Sequence, residues 1–89
     1  MTPEDASPLE FPCRYPIKAM GRTDAEIEQI VWDIVTRHAP NTTKETISTR
    51  PSRNGRFLSI TVNIIATDRA QLDAVYGELQ AHPAILAAL

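Results

Sequence analysis

The side chains best equipped for chemistry are one cysteine, two histidines and a basic run, and their spacing supports little of it. Cys13 as a nucleophile needs a general base and oxyanion donors, and its neighbours offer neither. As the single cysteine it forms no internal disulfide. Without a C-x-x-C pair, dithiol redox exchange and the usual zinc spacings are excluded. Cys13 reads instead as a small packed residue at the start of a sheet. His38 and His82 fall at the ends of two helical patterns, where the helix dipole favours a cation, so each has a structural explanation. No third ligand stands at a metal-binding spacing from them. The expectation is a non-enzyme with no catalytic residue, no metal and no cofactor.

Arg50, Arg53 and Arg56, with Lys44 nearby, form the basic run. Such a run contacts anions or nucleic acid, or it keeps a hairpin tip solvated and discourages edge pairing. Single-strand binders interleave aromatic stacking platforms with their cations, and none interleave here. The chain has 9 basic and 11 acidic residues, a formal charge of -2, so no overall attraction to nucleic acid or acidic membranes is expected. Gly21-Arg22-Thr23 joins a strand pattern to a helix pattern. A helix N-terminus there offers free N–H groups to a small anion or carboxylate. The competing explanation is that Gly21 turns the chain and Thr23 caps the helix. Trp32 lies off the apolar stripe of its helix, either as a cover for the core edge or as an anchor for a protein partner.

The elements that position these residues follow from periodicity. Residues 1–10 are acidic and proline-rich and read as a mobile tail, with a single domain over 11–89. Residues 14–20 alternate as a strand, with pairing on one side starting after Pro16, or with a bulge there. Thr23 and Glu26 match a capping box, and Ile27, Ile30, Val31, Ile34 and Val35 make one helical stripe that Pro40 stops. Residues 44–50 are polar and β-branched, as on an edge strand. Asn54-Gly55 marks a hairpin, and residues 57–66 alternate with Leu58, Ile60, Val62 and Ile64 on one face. Asp68 with Gln71 opens a second helix, whose stripe is Leu72, Val75, Tyr76 and Leu79, before His82-Pro83 and a short strand over 84–89. The interior Gly77 costs that helix about 1 kcal/mol relative to alanine.

The order β-α-β-β-α-β in an α+β chain is the ferredoxin-like split βαβ arrangement: two helices on one face of a four-stranded antiparallel sheet, the first and third strands central. RNA-recognition domains share it, but they stack bases on aromatic residues of the central strands. Here only Phe57 is placed to stack, unless Tyr15 faces the same way. Specific nucleic-acid binding is therefore not expected.

Three segments carry a family resemblance: FPCRYPIKAMG at 11–21, IVTRHAP at 34–40 and LDAVYGELQAHPAIL at 72–86. Over nearly the whole chain after the tail, they resemble the small bacterial YbeD-like proteins. The resemblance implies a ferredoxin-like fold similar to ACT-type regulatory domains, with no established activity and no catalytic residue to transfer. It also implies a link to lipoate metabolism, because such proteins are often encoded near lipoate-attachment genes.

The expected role is a non-enzymatic regulatory or protein-interaction module using Trp32, Tyr76 and Leu86. The alternative is an ACT-like sensor of a small metabolite held by Gly21, Arg22 and Thr23. A homodimer would use the C-terminal strand, which carries no charged residue, or the nearby helix flank. With no signal-peptide pattern and no apolar run of membrane-spanning length, the cytoplasm is the expected location and no membrane contact is expected.

Overall fold

The computed structural model describes residues 9–89. The expected tail at 1–10 therefore lies, for residues 1–8, outside the described residues. Leu9 and Glu10 are exposed, and Phe11 already packs against the core.

The strands are β1 (Cys13–Arg22), β2 (Ile47–Pro51), β3 (Phe57–Ala66) and β4 (Ile85–Ala88), and the helices are α1 (Ile27–His38) and α2 (Arg69–Ala81). They form one antiparallel sheet in the order β2-β3-β1-β4, as the split βαβ pattern requires. Strand β1 is longer than the alternation suggested. Its central partner β3 supplies a register from Cys13↔Ala66 to Arg22↔Phe57, so backbone pairing carries it past both predicted ends. Pro16 fits inside it for a simple reason. Lys18 turns both its N–H and its C=O to Leu89, on the β4 side. Pro16, two residues earlier, faces the same edge beyond the end of β4, so its missing N–H removes no ladder bond.

The alternation predicted for the central strands holds. Ile17, Ala19, Ile60, Val62, Ile64 and Ala66 point to the helices and are buried. Ile27, Val31, Ile34 and Val35 from α1 meet them, with Leu72, Val75 and Leu79 from α2. Each fully buried aliphatic side chain is worth about 1.5–3 kcal/mol, and this single layer is the core. Helix α1 packs on β3 and β1, and α2 on β4.

Three local expectations are corrected. Residues 44–46, read as strand, form a 3₁₀ turn, because the Thr46 N–H and hydroxyl both return to the Thr43 carbonyl. Strand β2 accordingly starts at Ile47. Thr23 does not cap α1. Thr23–Ala25 is a separate 3₁₀ turn, and Glu26, in the left-handed region at φ 53°, joins it to the helix. Gly21 makes no turn either: it is a buried residue of β1.

The other two punctuation signals are confirmed. Asp68 caps α2, its Oδ1 accepting from the Gln71 N–H at 2.7 Å. The hairpin turns at Gly55, φ 76°, where only glycine is unstrained. Asn54 Oδ1 accepts from the Arg56 N–H, and the Ser52 N–H donates to the Phe57 carbonyl, closing a five-residue loop.

Candidate functional site

Gly21, Arg22 and Thr23 sit together at the end of β1, each held by a structural contact. A Cβ on Gly21 would stand 2.2 Å from Ile27 Cδ1 and 2.6 Å from the Ala84 carbonyl oxygen, so this glycine lets β1, α1 and the lead into β4 approach closely. The Thr23 hydroxyl donates to the Gly55 carbonyl at 2.6 Å, and its N–H to the Arg56 carbonyl at 2.8 Å. The loop is thus tied to the hairpin, and the N-terminus of α1 begins only four residues later, at Ile27. Arg22 lies 3.4 Å from the Asp24 carboxylate, both well exposed.

Trp32, Tyr76 and Leu86 are not brought together. Trp32 is half-buried against the core on α1, with Lys44 Nζ 5.9 Å from its ring centroid. That places it towards β2, on the flank opposite the C-terminal strand. Tyr76 on α2 meets Tyr15 edge-on at 6.5 Å, and its hydroxyl donates to the Leu89 carbonyl. Burial between these partners pushes its phenol up to about 12. Leu86, 55% exposed, is the extra residue of a bulge where the β1–β4 register shifts between Met20 and Gly21. A bulge of this kind blunts the edge that a second copy would extend.

Two features escaped the sequence reading. Glu78 on α2 accepts from Arg37 and bonds His38 Nε2 on α1, and these two partners hold its carboxyl below the usual carboxylate range. Beside it, Gln71 Nε2 donates to the His38 carbonyl at 2.8 Å, tying the start of α2 to the end of α1. Nothing in the sequence signals either contact, since the partners are 33 to 41 residues apart. A hollow of about 400 Å³ lies next to them, where β3 runs past β2, lined by Arg14, His38, Asn41, Thr43, Asn63 and Gln71 among others. It is at the opposite end of β1 from Gly21–Thr23.

No described residue covers the face of the sheet away from the helices. Alternation puts Arg14, Pro16, Lys18, Met20 and Arg22 of β1 on it. Beside them stand Phe57, Ser59, Thr61, Asn63 and Ile65 of β3, and Ser48 and Arg50 of β2. The four strands contain four basic residues and no aspartate or glutamate. Arg53 and Arg56 extend the cationic surface into the hairpin. Tyr15 faces the helices, so among the described residues Phe57 is the only aromatic ring on this face, and they form no two-ring stacking platform. Between Lys18, Met20, Ala87 and Leu89 is a mainly apolar hollow of about 170 Å³. Among the described residues no group of three or more His, Cys, Asp or Glu is placed to hold a metal, and no helix is long and apolar enough to cross a membrane.

Residues 6–89 match a family model described as protein of unknown function, DUF493. A UPF0250 protein of Nitrosomonas europaea is 44% identical over 81 residues, 91% of this chain and 93% of its own. A UPF0250 protein of Chromobacterium violaceum is 39% identical over 85 residues, 96% of each chain. The solution structure of protein HP0495 from H. pylori is similar at a TM-score of 0.73, covering 100% of this chain and 96% of that one. At 13% identity, that likeness speaks to the fold alone. The YbeD-like resemblance and these relatives are one family. The chain belongs to the bacterial DUF493/UPF0250 family.

Proposed function

We propose that this protein is a non-enzymatic interaction module that docks a protein partner on the open face of its sheet, in a regulatory or adaptor role. The observation that carries the reading is this face, which no described residue covers: cations run along its central strand β1, no strand residue is acidic, and an apolar hollow lies beside Lys18 and Met20. Protein interfaces likewise set apolar contact area beside polar and charged groups. The side chains with reactive chemistry are meanwhile engaged in packing and capping: Cys13 lies against the core, and His82 Nδ1 accepts from the Ala84 N–H. The lipoate link implied by the resemblance makes proteins of that pathway the first partners to try.

The test is site-specific photo-crosslinking in bacterial cells. A crosslinker at Ser59, exposed on the open face, is expected to give discrete protein adducts, and one at Asp73, exposed on α2, is not. Equal labelling from both positions, or none from Ser59, overturns the reading.

A second reading, a small-metabolite sensor, is favoured by the polar hollow of about 400 Å³, which moves the ligand from Gly21–Thr23 to the other end of β1. Titration with amino acids and short carboxylic acids would then give saturable NMR shifts at Thr43 and Asn63. Their absence removes that reading.

A further inference from the structure

We propose that the segment docking on the open face is an extended acidic stretch of protein, its carboxylates meeting Arg14, Lys18 and Arg22 and one apolar side chain filling the hollow beside Met20. This rests on the docking reading above and adds the chemistry of the partner.

The charges of the molecule are segregated by layer. Every described Asp and Glu side chain lies outside the strands, in the helices, their caps, the connecting turns or, for Glu10, the lead into β1, while Arg14, Lys18, Arg22 and Arg50 lie on the open face. The three cations of β1 recur every fourth residue, about 13 Å apart at the rise of a strand. An extended chain laid along β1 has the same rise, so glutamate or aspartate at every fourth position matches them. Arg22 already holds Asp24, but that pair is long and exposed at 3.4 Å, so it yields to a partner carboxylate. Met20 lies between Lys18 and Arg22 on the same face. The small Ala87 opposite it leaves the hollow open, with Ser59 and Thr61 on its far wall.

A protein segment fits better than nucleic acid or a membrane. Those partners reward a net positive molecule, and a long polyanion would also meet the acidic helical layer. The single ring of Phe57 offers no stacking platform. A short acidic segment stays within the cationic face.

Fluorescence anisotropy with a labelled peptide tests this. The peptide carries glutamate at every fourth position and one leucine midway between two glutamates. Saturable binding that weakens with added salt is expected. The same peptide with glutamine for glutamate should lose about tenfold or more in affinity. Lys18→Glu with Arg22→Glu should abolish binding, Lys18→Gln with Arg22→Gln should weaken it, and Arg69→Glu on α2 should leave it unchanged. Met20→Asp should remove the advantage of the leucine peptide over one with serine in its place. Tighter binding of oligouridylate or of phosphatidylglycerol vesicles overturns the proposal, as does peptide binding indifferent to the face variants. If adducts from Ser59 persist in cells in the Lys18→Glu, Arg22→Glu protein, the docking reading stands and the acidic partner is wrong. If Ser59 never gives adducts, the docking reading itself has failed.

Discussion

Two glycines show how differently one methyl group can act. At Gly21 an added Cβ meets the Ala84 carbonyl oxygen, part of the backbone, as well as the tip of Ile27. The side chain can rotate away and the carbonyl cannot move without dragging β4. Gly21→Ala is expected to cost about 1–3 kcal/mol, read as a lower denaturation midpoint at unchanged m-value. Gly77 lies inside α2 with nothing within 4 Å of an added Cβ. Gly77→Ala is therefore expected to gain about 1 kcal/mol, since only the helix propensity term is left. Neither role is legible from the sequence. The cost of an interior helical glycine is, but whether anything packs against it is not. Gly21 sits where a turn is plausible, and the close approach that requires it is made by residues far along the chain.

At the scale of elements, the periodic signals read well and the helix starts only half so. Strand β3 has the predicted bounds, and both helical stripes face the core, because alternation and the 3.6-residue period are set by burial along one face. Thr23-x-x-Glu26 and Asp68-x-x-Gln71 match one local pattern, yet only the second is a cap. Thr23 finds a better partner in the hairpin, and the left-handed Glu26 starts the helix later. Asp68→Ala is expected to cost about 1 kcal/mol by unfolding the first turn of α2. Thr23→Ala should instead speed amide exchange in the hairpin and leave the Ile30 N–H, bonded to the Glu26 carbonyl, protected.

The Arg37–Glu78–His38 contact fastens the two helices and gives stability a pH dependence. Its partners hold the Glu78 carboxyl below its unfolded value, so its contribution is full above the ordinary carboxylate range and is lost as pH falls through the folded-state value. The melting temperature of Glu78→Gln should thus lie below that of the native protein at neutral pH, with the gap closing on acidification. A gap independent of pH would show that the carboxylate charge is not what joins the helices.

For the whole molecule, the formal charge of -2 is an average over two layers of opposite sign. Counted along the chain it argues against any anionic partner. Counted by face, once strand register assigns each residue a side, the charged strand residues of the open face are all cations. The alternation that puts Lys18 and Met20 opposite Ile17 and Ala19 is visible in the sequence. The alignment of Arg50 with Ser59, and of Ala87 with Met20, needs the tertiary pairing. For the same reason the sequence grouped Trp32 with Tyr76 and Leu86, which the fold puts on opposite flanks. The most direct measurement of the central claim is an NMR titration of the isotope-labelled protein with the glutamate–leucine peptide. The account predicts amide shifts gathered on Lys18, Met20, Ser59 and Thr61, with His38 and Glu78 unmoved. Shifts confined to the helical layer, or none at saturating peptide, would contradict it.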